Sequence, residues 1–163
     1  NQARWQYHSF EPDRNWGIYF PDPDLWVRVE EIRASLAEDE SDAELWMELG
    51  DLYWDMCTVK EYYDDRLEWL GNGALDAYAT AVELAPENAY AHGGNADVLY
   101  GIGYHEMWVL DSVEKMEQAI TAYEKAVDLW DEEDYERYGH WKYMGLEAQS
   151  QLEFYLSQIG RAS

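Results

Sequence analysis

The pattern Ala-x3-Tyr-x2-Ala occurs twice, as Ala74, Tyr78, Ala81 and, 45 residues later, as Ala119, Tyr123, Ala126. Small and aromatic residues at steps of four and three fall on one face of a helix. A helix with so narrow a face must lie close against another one. After the first copy, Leu84 and Ala85 lead into Pro86, which lacks an N–H and biases the preceding residue away from helical geometry. Glu87 and Asn88 then make a turn, and a further helix is expected from about Ala89. The chain is thus predicted to be all-α, built from helices that break and fold back on each other.

A second recurring pattern precedes the first. Trp46-x2-Leu49-Gly50-x2-Tyr53 puts Trp46, Leu49 and Tyr53 on one face, with Gly50 allowing close approach at a helix-propensity cost of about 1 kcal/mol. It returns 46 residues later in weaker form, with His92, Asn95, Ala96 and Leu99 in the same slots, and again as Trp141-x2-Met144-Gly145. Asp55 to Gly73 is read as an extension of the first helix closed by a Gly71-Asn72-Gly73 loop. In the second unit, Gly101 and Gly103 are expected to end the helix, with Tyr104 to Asp111 as an inserted piece. Asp131 stands where the earlier unit has proline, and Gly160 is read as a C-terminal cap. Ahead of these units, Asp22-Pro23-Asp24 signals a helix start. Trp26, Val29, Ile32 and Leu36 then run at helical steps to about Ala37, and Ser41 or Asp42 can cap the next helix.

These motifs resemble those of tetratricopeptide repeat (TPR) proteins, with repeats lengthened to about 45 residues. The resemblance covers roughly residues 24–160 and implies a right-handed solenoid of antiparallel helix pairs, about six to eight helices in all. Repeats are expected at about 43–87 and 89–131, with a capping helix over 135–160, inside a helical domain spanning 24–163. Residues 1–23 hold three prolines and six aromatics without helical period, and are expected to form an extended arm.

The formal net charge is −24, from 11 basic and 35 acidic side chains. Such a chain repels phosphate backbones and anionic lipid surfaces, so nucleic-acid binding is not expected; no apolar run reaches the ~18–20 residues of a membrane span, so membrane insertion is not expected either. The charge fits a solvating or salt-adapted surface and equally a basic partner. Nine Trp and fourteen Tyr exceed what one core would use, which leaves aromatics for contact surfaces. A single cysteine, Cys57, excludes an internal disulfide and thiolate-rich metal sites. No His pair has the i, i+4 spacing of a zinc helix, and no phosphate loop or nucleophile motif occurs. No enzyme, metal or cofactor is expected. Asn1 stands where a starting methionine would, so a preceding segment is expected, which favours a secreted or cell-surface location.

The resemblance implies a non-catalytic scaffold or binding module whose concave face is lined by first helices. Offsetting from the packed set Trp46, Leu49, Gly50, Tyr53 places Glu44, Met47, Asp51, Trp54 and Asp55 on that face. The same offset gives Tyr90, Asp97 and Tyr100 in the second unit and Lys142, Leu146 and Gln149 in the third. An acidic, aromatic groove suits a segment carrying Arg or Lys among aromatics and prolines. The arm has that character through Arg4, Trp5, Tyr7, Phe10, Arg14 and Trp16. The partner is then another protein or a second copy of this chain. The alternative function is that of a structural subunit of a filament or larger complex, with the arm docking on a neighbour. Carbohydrate binding by exposed Trp and Tyr is a weaker third reading. TPR domains that clamp a C-terminal carboxylate use Lys, Arg and Asn on their first helices. The first two such helices here offer no basic residue toward the groove, so no clamp of that kind is expected.

Overall fold

The computed structural model describes residues 23–58, 65–130 and 135–162, and among these every regular element is an α-helix. The arm, with Arg4, Trp5, Tyr7, Phe10, Arg14 and Trp16, lies outside the described residues, as does Asp131. The helices fall into two compact units, one ending at Leu84 and one starting at Ala85.

The first unit holds α1 (Pro23–Glu38), α2 (Ala43–Thr58) and α3 (Asp65–Leu84). Helix α1 buries Val29, Ile32 and Leu36, the stripe its periodicity announces. Arg28 on its flank grips Glu48 of α2 with Nε and one terminal nitrogen, at 2.7 and 2.9 Å. Both partners are exposed, so this pair orients more than it stabilises. Of the two capping candidates the structure selects Asp42, whose Oδ1 accepts from the N–H groups of Glu44 and Leu45. Ser41 instead donates to Asp39. Trp46, Leu49, Tyr53 and Met56 are wholly buried along α2.

Gly71-Asn72-Gly73 is not a loop. Helix α3 starts at Asp65 and runs through all three residues. The reason lies on the facing helix: a Cβ on Gly73 would stand 3.2 Å from the Tyr53 ring, and one on Gly50 2.6 Å from Tyr78. Each glycine admits the other helix's tyrosine, and that packing offsets the local cost of glycine. The contacts Gly50–Tyr78 and Tyr53–Gly73 rise along α2 as they fall along α3. Tyr78 also donates its hydroxyl to Asp51.

The second unit holds α4 (Ala89–Leu110), α5 (Glu114–Asp128) and α6 (Tyr135–Ala162). The turn after Leu84 forms as its proline requires, with the Asn88 N–H bonded to the Ala85 carbonyl at 3.0 Å. Asn88 is extended and caps α4, its side chain accepting from Tyr90 and Ala91 N–H groups at 2.9 and 3.3 Å. The His92 imidazole folds back and donates from Nε2 to the Pro86 carbonyl at 2.8 Å. Replacing this cap, Asn88→Ala, is expected to cost about 1 kcal/mol by denaturant titration; an unchanged midpoint would mean that water satisfies the freed N–H groups.

Gly101 and Gly103 do not end α4, and Tyr104 to Leu110 continue it without a break. Gly103 is where α5 begins to pack: a Cβ there would lie 2.8 Å from the backbone nitrogen of Met116. The helix ends instead at Asp111, in the left-handed conformation at φ 54°, with its N–H bonded to the Glu106 carbonyl. Asp is among the residues that tolerate this geometry, and its carboxylate accepts the Tyr155 hydroxyl at 2.9 Å. Contacts between α4 and α5 (Asp97–Tyr123, Gly103–Met116, Glu106–Lys115) rise along one helix as they fall along the other. Those between α4 and α6 run in the same direction along both helices, from Gly93–Trp141 and Asp97–His140 near one end to Trp108–Tyr155 near the other. Met107, Met116, Ala148 and Tyr155 form the core where the three meet. Gly160 is not a cap either, since α6 continues to Ala162.

Candidate functional site: an aromatic face on α4 and α6

Tyr90, Asp97, Tyr100, Tyr104 and Trp108 follow one another along α4 at helical steps, so they share a stripe. His140, Tyr143, Glu147 and Phe154 do the same on α6. Because numbers on the two helices rise together, the stripes run side by side. Tyr90 meets Trp141 edge to face, ring centres 5.5 Å apart. Tyr100 and Tyr104 lie 6.3 Å apart at a 36° tilt. Trp108 touches Phe154 at 5.8 Å and Tyr155 at 5.1 Å, the latter edge-on. These separations are those of favourable aromatic pairs, yet much of the surface stays open. Tyr143 is 64% exposed, Phe154 54%, Tyr90 48% and Tyr104 43%.

Carboxylates interrupt the aromatics. Asp97 accepts the Tyr123 hydroxyl at 2.5 Å and lies 3.3 Å from His140 Nε2. Glu147 is held by Gln151, whose Nε2 donates to it at 3.0 Å. The Tyr100 hydroxyl titrates above the usual phenol range, from burial first and then from the charge of Glu147 and the nearby Tyr104 and Tyr143. Burial and Asp97 hold Tyr123 higher still. Both phenols are therefore neutral donors around neutral pH.

Of the groove residues named from sequence, Tyr90, Asp97 and Tyr100 stand on this face, Asp97 already engaged by Tyr123 and His140. Lys142, Leu146 and Gln149 line a different feature. They border a cleft of about 180 Å³ between α5 and α6, with Glu124, Val127 and Asp128 opposite. Lys142 Nζ sits 5.8 Å above the Tyr138 ring. In the first unit Glu44 and Asp55 are exposed and Met47 and Trp54 half-buried along α2, while Asp51 accepts from Tyr78. His140, Tyr143, Glu147 and Phe154 were not singled out from sequence. The available signal was their own three- and four-residue spacing, which an offset counted from Trp141 passes over.

Burial pushes the Cys57 thiol up to about 11, so it is protonated around neutral pH and a poor nucleophile. Among the described residues no three His, Cys, Asp or Glu side chains are grouped to hold a metal ion. Among them, too, no helix is long and apolar enough to cross a membrane. No family model, curated protein or solved structure matches the chain.

Proposed function

We propose that this chain is a non-catalytic protein-interaction module of TPR type, a solenoid of antiparallel helix pairs that holds an extended partner segment. The observation that carries the binding reading is the pair of adjoining stripes on α4 and α6, where open aromatic rings alternate with carboxylates. Exposed contiguous aromatic surface of this kind is characteristic of interaction sites. The repeat reading is supported by an equivalence between the units. Asp51 and Asp97 each follow the residue in the Gly50 slot, and each accepts a hydroxyl from the tyrosine of the Ala-x3-Tyr-x2-Ala helix. The chain's charge of −24 suits a basic partner segment better than self-assembly into a filament, because copies repel one another.

Presenting this chain with short peptides of varied composition tests this. Peptides with Arg or Lys among Tyr and Pro are expected to bind in the micromolar range at low salt, and more weakly as salt is raised. Binding should disappear in the double variant Tyr104→Ala, Tyr143→Ala. The proposal fails if no peptide binds, or if the double variant binds as well as the parent. A concentration-dependent rise in solution mass would favour the filament.

A further inference from the structure

At the middle of the face, three phenol rings and one carboxylate come level with each other. Asp97 faces His140, and Trp108 faces Phe154 and Tyr155. Between these anchors Tyr143 and Glu147 of α6 both come close enough to Tyr100 to act on its hydroxyl, as does Tyr104 one turn along α4. The rings of Tyr100 and Tyr104 stand 6.3 Å apart at 36°, and Tyr143 is the most open ring of the face. Gln151 donates to one oxygen of Glu147, which fixes the carboxylate one turn along from Tyr143.

We propose that Tyr100, Tyr104, Tyr143 and Glu147 form a recognition pocket for the guanidinium group of an arginine on the partner segment. This rests on the binding reading above and names what that face selects. Phenol rings present negative faces that attract a cation. A guanidinium is planar and weakly hydrated, so it stacks on such faces with little desolvation cost, and its fork matches a carboxylate in two-point contact. An ammonium is a compact, strongly hydrated charge that can do neither as well. The local field also favours a cation: Asp97 and Glu147 lie on this face, whereas Lys115 is held by Glu106 and Lys142 sits over Tyr138.

The test is a titration of the whole chain with N-acetylarginine methylamide and with the matching lysine and citrulline derivatives, read by the tyrosine ring resonances. Citrulline keeps the shape of arginine without its charge. The arginine derivative is expected to bind about fivefold or more tightly than either of the others. Glu147→Gln should weaken it by a similar factor and Tyr143→Ala should abolish the shifts, while Tyr143→Phe, which keeps the ring face, retains most of them. Equal binding of citrulline overturns cation recognition. Lysine binding as tightly as arginine reduces the site to a general negative field and also overturns the proposal. Shifts unchanged in Glu147→Gln and Tyr143→Ala place the site elsewhere. Peptides that bind without any arginine preference would sink this inference and leave the module reading standing. Arginine recognition with no peptide binding would do the reverse.

Discussion

Trp46→Ala is expected to destabilise the chain by roughly 3–5 kcal/mol, the range for truncating a large buried aromatic. Trp46 has no exposed surface and, among the described residues, is the largest fully buried side chain. Its ring shares the α2 core with Leu49, Tyr53 and Met56, all wholly buried. Its Nε1 also donates to the Glu40 carbonyl at 2.9 Å, which ties the break between α1 and α2 to the core. The alanine variant loses both the volume and this bond. Trp46→Phe keeps most of the ring, loses the bond, and should cost distinctly less than the alanine change. Denaturant unfolding followed by circular dichroism measures both. A loss below about 1 kcal/mol for Trp46→Ala, the level of an average substitution, would mean that Trp46 is not central to this core.

Gly93→Ala is the second large effect, and it runs against local propensity. Alanine in place of a helical glycine ordinarily gains about 1 kcal/mol. At Gly93 the added methyl carbon would stand 2.2 Å from the Trp141 indole, a distance no real contact tolerates. Trp141 is itself buried beside Tyr90 and cannot swing aside without parting α6 from α4. Overpacking of this kind typically costs 1–3 kcal/mol and sometimes more, so a net loss of about 2 kcal/mol is expected. Gly139, on α6, is the control, since nothing lies within 4 Å of a Cβ built there. Gly139→Ala should be neutral or stabilising by up to about 1 kcal/mol. Thermal or denaturant midpoints moving in the same direction for the two variants would refute the close helix contact at Gly93.

The helix starts at Pro23, Ala43 and Ala89 were readable in advance because their causes are local. Proline's missing N–H, an aspartate or asparagine two or three residues from free N–H groups, and a repeating apolar stripe all act within a turn or two. The packed set Trp46, Leu49, Tyr53 was readable for the same reason, as was the face that holds Tyr90, Asp97 and Tyr100. Gly71, Gly73, Gly101, Gly103 and Gly160 stand inside helices, against the breaks and cap that local sequence predicts at them. Locally, glycine favours a break, and at Gly73 and Gly103 a window of sequence cannot see the facing helix that offsets that cost. At Gly73 the compensation is Tyr53, and at Gly103 it is the backbone of α5.

The aromatic face of α4 and α6 divides in the same way. Its α4 stripe follows from the period of one helix, which the residues of that helix encode among themselves. Its α6 stripe depends on which side of α6 turns toward α4, and that is decided by Gly93 receiving Trp141 and Gly145 lying against the Cβ of Tyr123. Those contacts join residues tens of positions apart, so they set the rotation of α6 about its axis only once the helices have packed. The amino-acid order therefore carries the helices, their breaks and the acidic, aromatic character of the surface. Close packing around the glycines decides that Tyr143 and Glu147, rather than Lys142 and Leu146, come to stand near Tyr100.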